Sequence, residues 1–341
     1  KGFPDPSKIN TLLIVKPTQR FSELDQLKID QFILAGGNVI WALDPLFAEY
    51  DSLRNTAGAY LAFDRGLGLE TQLFKYGARV NPNLVQDLNC AKLPMVVGVD
   101  AAGAPTIQRV PWPYYPFAQA GSEHPMVQNM DRVLTAFPAS IDTVRAAGIA
   151  KTILLTTDTT SRIITSPTMI QLNSGQQEGE LANFTKQHIS IAVLLEGQFK
   201  SAFAGRLTQA LKDSVQLATG KAFVTTSNKA SKQIVLSDAD LITNFVDAQK
   251  GPLPMGMIPY EGVQFANPVF FQNTIAYLNE PVSLLEARKK NLVLRRLDAG
   301  KVAENRLWIQ LVLLLGPLFL LGIGYWGAFY FRQSRFAVSK S

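Results

Sequence analysis

Apolar residues near the start of the chain follow first a strand-like and then a helix-like pattern. Lys8–Lys16 is a short apolar run typical of a buried strand, and Asn38–Leu43 is a second one. Between them, Phe21–Ala35 carries its apolar residues mostly at helical spacing, and Gly36 and Gly37 are typical of a helix end. Strand, helix and strand with short joints predict a βαβ unit with parallel strands and a right-handed crossover.

Further strand and helix patterns follow as far as residue 282. The first half carries a predicted helix at Leu69–Tyr76 and predicted strands at Lys92–Gly98 and Thr152–Thr156. Later patterns predict strands at His188–Leu195, Ala222–Thr226 and Gln233–Leu236, and helices at Asp238–Val246 and Val269–Leu278. We therefore expect an α/β domain with an open, mostly parallel sheet at residues 1–165, and a second, smaller α/β or α+β part at residues 166–282.

Residues 105–125 are rich in proline and aromatic side chains, most densely over Pro111–Phe117. Because proline lacks the N–H that a sheet ladder needs, this composition predicts a loop. A packed surface loop is the commoner form of such a stretch. An exposed rim that binds a peptide or a sugar is the alternative.

Residues 307–331 contain no charged side chain. A helix of that length extends about 37 Å, which is enough to cross a hydrocarbon layer of roughly 30 Å with some tilt. Trp308 lies near one end and Trp326 near the other, where amphipathic rings favour the membrane interface. The stretch therefore predicts a transmembrane helix, with Pro317 producing a kink or a helix–helix contact.

The net charge of +6 is concentrated beside this apolar stretch. Residues 286–306 carry seven basic and three acidic side chains, and residues 332–341 carry three basic side chains and no acidic one. The remaining residues, 1–285, are nearly neutral, so the excess charge does not indicate a nucleic-acid partner. We expect a basic juxtamembrane stalk at 283–306 whose Arg295 and Arg296 contact lipid head groups or a partner protein.

Reactive residues are few. Cys90 is the single cysteine, which excludes an intrachain disulfide, and with only His124 and His188 beside it a Cys/His metal cluster is disfavoured. Neither Gly-Lys pair, at Gly220 and Gly300, is followed by the Ser or Thr of a phosphate-binding loop. No G-x-S-x-G occurs and Cys90 lacks flanking glycines. The sequence therefore predicts no catalytic residue, cofactor or metal, and excludes the ATPase motor.

Ligands of open α/β sheets bind at the carboxyl ends of the parallel strands. The predicted strands end at Lys16-Pro17-Thr18, at Asp44-Pro45 and at Thr157-Asp158-Thr159. Asp44, Thr18 and Asp158 are therefore candidate ligand-binding residues. The alternative for Asp44 is that its carboxylate only caps the turn that it forms with Pro45.

Five spaced segments resemble GldG proteins of the gliding-motility ABC transporter group. They are residues 4–17, 29–45 (IDQFILAGGNVIWALDP), 75–90 (KYGARVNPNLVQDLNC), 191–203 and 284–306 (LLEARKKNLVLRRLDAGKVAENR). The resemblance covers essentially the whole chain, including the order of soluble domain, basic stalk and membrane helix.

The resemblance implies a non-catalytic auxiliary subunit that works with a GldF-like permease and a GldA-like ATPase. It also implies a fold like that of class I glutamine amidotransferases and an N-terminal membrane helix that the present chain does not contain. With the basic tail at 332–341 in the cytoplasm, the soluble domain would be periplasmic and the anchor in the inner membrane. The alternative function is a membrane-anchored module that binds a peptide or carbohydrate without a transporter.

Overall fold

The computed structural model describes residues 2–55, 58–101, 103–174, 178–220, 222–227, 229–247, 250–279 and 306–336. The chain divides into two compact units, of which the first ends at Lys290 and the second begins at Asn291. Residues 283–305 of the predicted stalk, with Arg295 and Arg296, lie outside the described residues, as do residues 337–341 of the tail.

Helices and strands alternate irregularly through the first unit. The helices are α1 (Glu23–Leu34), α2 (Tyr50–Asn55), α3 (Glu70–Tyr76), α4 (Glu178–Leu181), α5 (Gln209–Thr219) and α6 (Asn267–Asn279). The first strands are β1 (Thr11–Val15), β2 (Asn38–Ala42), β3 (Ala59–Ala62), β4 (Ala78–Val80), β5 (Asn83–Asp87), β6 (Cys90–Val99), β7 (Pro105–Ala120) and β8 (Val133–Leu134). The later strands are β9 (Ile141–Thr143), β10 (Ile149–Thr156), β11 (Ser161–Thr165), β12 (Thr168–Gln171), β13 (Ser190–Gly197), β14 (Ser231–Leu236), β15 (Val246–Asp247) and β16 (Gly251–Pro252).

The predicted βαβ unit is confirmed by β1, α1 and β2. Strands β1 and β2 are parallel, with Leu13 opposite Ile40. Helix α1 begins after Ser22, whose hydroxyl accepts a hydrogen bond from the Asp25 N–H, and it ends before Gly36 at φ +96°. Strand β1 is the edge of the sheet and is only partly buried, which differs from the buried strand that its composition predicts.

The main sheet is mixed, with strand order β1-β2-β14-β13-β10-β7-β6 and β8 paired with β7. Only the β1–β2 and β2–β14 pairs are parallel, and the other pairs of this sheet are antiparallel. The prediction of a mostly parallel sheet is therefore wrong. The short connection from β6 to β7 shows why, because a parallel pair needs a crossover of a dozen or more residues.

Strands from both halves of the chain contribute to this one sheet. Strands β13 and β14 come from residues assigned to a second part, and they lie between β2 and β10. Smaller two-stranded sheets pair β5 with β11, β3 with β12, β4 with β9 and β15 with β16. The sheet thus brings together strand ends that are far apart in the sequence.

The proline-rich segment is a strand and not the predicted loop. Strand β7 runs over Pro105–Ala120 and pairs with β6, with a register shift between the Cys90–Pro116 and Lys92–Pro111 pairs. Proline is tolerated at the first residue of a strand and at a bulge, and Pro105, Pro111 and Pro116 occupy those places. The missing N–H groups therefore do not prevent the pairing.

Two other predicted elements are also absent from the described residues. In place of a strand at 222–226 there is one isolated bridge, between Lys200 and Thr226, and the Val224 N–H donates to the side chain of Gln31. In place of a helix at 238–246 there is a single 3₁₀ turn over Ala239–Leu241. The Asp238 carboxylate accepts from the Asp240 N–H, a local bond that competes with helix formation.

Both faces of the sheet are covered. Val39 and Trp41 of β2 pack in one apolar cluster with α1 and α3, while Ile40 and Ala42 pack in a second cluster with α6. This alternation explains why every residue of β2 is buried. A third cluster surrounds the aromatic residues of β7, including Trp112.

Helix α7 (Arg306–Phe336) includes the predicted span 307–331 and extends beyond it. Its Gln310–Arg335 portion is long and apolar enough to cross a membrane, and none of its hydrophobic window is buried within the chain. Pro317 lies inside the helix, and Trp308 and Trp326 are exposed. Among the described residues this is the one helix with that character.

Candidate functional site at the strand ends

Three parallel strands place a lysine and three carboxylates at one edge of the main sheet. Lys16 follows β1, Asp44 lies two residues beyond β2, and Asp238 lies two residues beyond β14. Asp240 belongs to the 3₁₀ turn that comes next. Because carboxyl ends of parallel strands meet at the same edge, these four residues come together. We call Lys16, Asp44, Asp238 and Asp240 the strand-end cluster.

Lys16 is the cationic centre of the strand-end cluster. Its Nζ lies 2.9 and 3.1 Å from the two carboxylate oxygens of Asp240 and 3.5 Å from Oδ2 of Asp44. The Lys16 backbone has φ 46°, a left-handed conformation that is uncommon outside glycine, and its N–H donates to the Ala42 carbonyl. Such strained backbone is often found at functional sites.

The buried carboxylates also hold backbone segments in place. Oδ1 of Asp44 accepts from the Ala239 N–H at 2.8 Å, so this carboxylate caps the 3₁₀ turn. Oδ2 of Asp238 accepts from the Ala136 N–H at 2.7 Å, which ties β14 to the segment after β8. The strand-end cluster therefore has a structural role whatever else it does.

Burial and mutual repulsion change the acid–base properties of the strand-end cluster. Burial, with the negative charge of Asp240 beside it, raises the pKa of Asp44 to about 6, and Lys16 offsets only part of this. Burial raises the pKa of Asp238 well above its usual value. Burial also opposes the charge of Lys16, but Asp240 and Asp44 outweigh it and the pKa of Lys16 is raised.

Asp44→Asn is expected to flatten the pH dependence of stability. Native Asp44 binds its proton more tightly than the unfolded chain does, so its contribution is fully present below pH 3.8 and is lost as the pH rises to about 6. Asparagine keeps an acceptor for the Ala239 N–H. Relative to wild type, the free energy of unfolding of the variant should rise between pH 4 and pH 7 by on the order of 2 kcal/mol.

Chemical denaturation followed by circular dichroism at several pH values measures this change. Asp25→Asn is the matched control, because hydrogen bonds from Ser22 and Lys28 lower the pKa of the exposed Asp25 carboxylate. That substitution should not reproduce the gain. Parallel stability curves for Asp44→Asn and wild type would show that Asp44 titrates normally.

A cleft of about 230 Å³ opens beside the strand-end cluster, and both Lys16 and Asp240 line it. Its remaining lining combines aromatic rings with acidic and amide side chains. These residues are Glu49, Tyr50, Asp51, Tyr115, Phe137, Asn244, Phe245, Val246, Asp247, Pro259 and Tyr260. We call this the aromatic cleft. The arrangement can bind a small ligand through ring faces and charged groups together.

The comparison with known proteins agrees with a transport role. The family described as "ABC-type uncharacterized transport system" matches residues 2–274 of the chain. The chain belongs to this family. It is therefore an auxiliary component of an ABC-type transport system.

Other comparisons add little to the family assignment. No curated protein matches the chain at a significant level. The solved structure described as "mmIFT52 N-terminal domain" is similar at 12% sequence identity and a TM-score of 0.37, covering 80% of this chain and 78% of that chain.

The two other candidate binding residues, Thr18 and Asp158, have surroundings that differ from those of the strand-end cluster. Thr18 follows β1 but is exposed and does not line the aromatic cleft. Asp158 follows β10 and accepts hydrogen bonds from the Asn89 side chain and from the Thr159 N–H. A ligand role for Asp44, Thr18 or Asp158 stays a prediction in this member of the transport-system family.

Cys90 has the properties of a structural residue. It is buried, its Sγ lies 3.5 Å from the Leu88 carbonyl oxygen, and burial raises the pKa of its thiol to about 12. A thiol with that pKa is protonated at neutral pH and is a poor nucleophile. His124 packs edge-on against Tyr277, and the His188 N–H donates to the Asp158 carbonyl. Among the described residues no three His, Cys, Asp or Glu side chains are grouped to hold a metal.

Sequence reasoning missed Asp238 and Asp240. Both fall in the segment for which a helix is predicted, and a helix would have pointed them in different directions. A usable signal was present, because Asp238 lies two residues beyond the predicted strand Gln233–Leu236 and Asp44 directly follows Asn38–Leu43. What the sequence does not show is that β14 pairs with β2.

Proposed function

We propose that this chain is a non-catalytic, membrane-anchored auxiliary subunit of an ABC transporter complex linked to gliding motility. Its partners are a GldF-like permease and a GldA-like ATPase, and α7 is its anchor. The observation that carries the proposal is the family match over residues 2–274, followed in the same chain by a helix that can span a membrane. The five segments that resemble GldG supply the link to gliding motility.

A non-catalytic role fits the chemistry of the described residues. The Cys90 thiol is protonated at neutral pH, and the strand-end carboxylates are engaged by backbone N–H groups and by Lys16. The proline-rich segment does not form the exposed rim that would favour a peptide- or carbohydrate-binding module, because its Trp112, Tyr114 and Tyr115 are buried. The class I glutamine amidotransferase likeness of the fold remains part of the proposal.

Co-purification tests the partnership directly. The full chain, extracted from its native membranes in a mild detergent, should retain both a permease and an ATPase subunit. Recovery of the chain without either protein, under conditions that preserve other transporter complexes, would contradict the proposal.

Helix α7 offers a matched pair of variants for the same experiment. Gly324, Gly327 and Ala328 share one helix face, where small side chains allow a partner helix to approach closely. Gly324→Leu with Gly327→Leu should reduce permease recovery at least fivefold, while Gly322→Leu, on another face, should not. Among the described residues, no atom beyond the helix's own nearby backbone lies within 4 Å of an added Cβ at these glycines.

The proposed location is the inner membrane, with the soluble domain in the periplasm and the tail, residues 332–341, in the cytoplasm. Trp308 and Trp326 would lie near the two interfaces, and Arg295 and Arg296 of the stalk would contact lipid head groups or the permease. The basic tail supports this orientation through the excess of lysine and arginine that cytoplasmic segments carry.

Labelling of single cysteines tests the orientation. A Cys90→Ala chain provides a cysteine-free background, into which Gly98→Cys or Ser341→Cys is introduced. Gly98 is exposed, and a Cβ added there meets no atom of the described residues within 4 Å apart from its chain neighbours. In cells with a permeabilised outer membrane, an impermeant maleimide should label the residue 98 variant and not the residue 341 variant. The reverse pattern would overturn the orientation and leave the partnership untouched.

A further inference from the structure

The aromatic cleft joins a wall of rings to a surplus of negative charge. Tyr50, Phe245 and Tyr260, which are partly exposed, form the wall, and the ring centroids of Tyr50 and Tyr260 are 6.1 Å apart. The Tyr115 ring is buried and packs against Phe245, with the two centroids 6.0 Å apart. These pairs are inclined at 58° and 65°, so the rings are not stacked face to face. Inclined rings can direct more than one negative π-face toward the same enclosed space.

The charges at the cleft are mostly acidic. Among the described residues, Glu49, Asp51, Asp240 and Asp247 line it together with one basic side chain, Lys16. Arg65 outside the lining pairs with Glu49 at 2.9 Å, and Lys16 pairs with Asp240 at 2.9 Å. Among the described residues the carboxylates that line the cleft outnumber the basic side chains even when Arg65 is counted, so the cleft has a formal negative charge.

We propose that the aromatic cleft binds an organic ammonium group, the positively charged head of an alkylamine or a quaternary ammonium compound. Ring faces and carboxylates both attract such a cation, since a cation within about 6 Å of a ring centroid interacts with the ring quadrupole. The proposal goes beyond the transporter role and does not depend on it.

Other ligand classes fit the aromatic cleft less well. An anion would meet the surplus of carboxylates, and the ammonium of Lys16 already binds Asp240 and Asp44. A small metal ion would prefer a set of oxygen ligands, and the described residues contain no group that could supply one. A neutral sugar would form no ionic interaction with the carboxylates of the cleft.

Size also favours a single head group. The volume of about 230 Å³ is below the roughly 300–1,000 Å³ of pockets that enclose drug-sized ligands. An ammonium group with short alkyl substituents fills such a space, and a longer molecule would extend out of its mouth. Lys16 and Asp240 at the cleft also connect an occupant to the strand-end cluster, so a bound cation would stabilise the ionised form of Asp44.

Calorimetric titration of the full chain in a maltoside detergent with choline tests the proposal. Choline should bind saturably, with one site per chain, while 3,3-dimethylbutan-1-ol, its neutral carbon isostere, should bind at least tenfold more weakly. Absence of saturable choline binding, or equal binding of the isostere, would overturn the proposal. Neither result bears on co-purification with the transporter subunits, so the two proposals fail separately.

Variants locate the site within the molecule. Tyr260→Leu should weaken choline binding about tenfold because it removes a ring and keeps apolar volume, whereas Tyr260→Phe should retain the affinity. Asp51→Asn, on the exposed side of α2, should weaken binding severalfold without changing packing. Phe74→Leu is the matched control, since Phe74 is an exposed ring on α3 that does not line the cleft. An equal loss in the control would place the binding elsewhere.

Two further ligands distinguish the sources of an ammonium group. A short-chain phosphocholine, used below its micelle concentration, represents a lipid head group, and N-acetyl-lysine amide represents a peptide side chain. Tighter binding of the first than of choline would indicate a lipid source, and tighter binding of the second a peptide source. Binding of choline alone would indicate a free small amine.

Discussion

Lys16→Met is expected to destabilise the first unit by about 2–4 kcal/mol at neutral pH. Lys16 is the cation that lies within 4 Å of both Asp44 and Asp240, and its side chain is 31% exposed. Removing it leaves those carboxylates, together with the nearby Asp238, without their nearest counter-charge in a largely buried place. Breaking a buried pair by removing one partner typically costs about 3–5 kcal/mol, and partial exposure of the lysine reduces this.

The pH dependence of that loss has a definite sign. The pKa of Lys16 is raised in the folded protein, so its contribution is fully present below pH 10.5 and is lost only as the pH rises above that value. Between pH 7 and pH 5 the loss in the variant should become smaller, because Asp44, with a pKa of about 6, takes up a proton and no longer needs a counter-charge.

Chemical denaturation of the full chain measures both effects. Lys28→Met is the matched control, because Lys28 forms a pair of similar length, 3.0 Å, with an Asp25 carboxylate that is 53% exposed. Its loss should stay below about 1 kcal/mol. Adding Asp240→Asn to Lys16→Met should restore part of the stability, since the two side chains are coupled. Similar losses of stability for Lys16→Met and Lys28→Met would show that the ion pairs of Lys16 contribute no more than an exposed surface ion pair.

Elements with a complete local pattern could be predicted from the sequence. Helix α1 has an apolar core stripe, a serine cap and a terminal glycine, and the predicted α3 likewise ends at Gly77 with φ +114°. The apolar stretch that forms most of α7 is defined by composition alone. In each case the information lies within the element, so no distant contact is needed to predict it.

Long-range pairing could not be predicted in the same way. Strand β14 lies beside β2 because of hydrogen bonds between residues almost 200 positions apart, such as Ile234 and Ile40. The candidate site depends on that pairing, since it brings Asp238 and Asp240 to Lys16 and Asp44. Asp44 was a candidate because a strand end is a local feature, but its partners are set by the topology of the sheet.

The loop prediction for β7 was wrong because it considered the missing proline N–H groups without the pairing of the strand to its neighbours. Pro111 and Pro116 flank a register shift, where a missing N–H breaks no ladder bond. Trp112, Tyr114 and Tyr115 between them are then free to pack inward, and all three are buried. The same composition on an exposed loop would have presented those rings to solvent.

Trp112→Ala tests, through the free energy of unfolding, whether the β7 rings lie in the core or on an exposed loop. Trp112 is fully buried, its ring centroid lies 5.0 Å from that of Tyr115 and 5.5 Å from that of Phe137, and its Nε1–H donates to the Gln171 carbonyl. Truncation removes these contacts and leaves a cavity, so we expect a loss of about 3–5 kcal/mol in the free energy of unfolding.

Circular dichroism is the suitable measurement, because the substitution itself changes tryptophan fluorescence. Trp308→Ala is the matched control, since Trp308 lies on α7 with 72% of its surface exposed, and the unfolding of the first unit should not respond to it. A Trp112→Ala chain within about 1 kcal/mol of wild type would place the β7 rings outside the core. A large loss confined to Trp112 means that this proline-rich strand contributes to the core that lies against the aromatic cleft through Tyr50 and Tyr115.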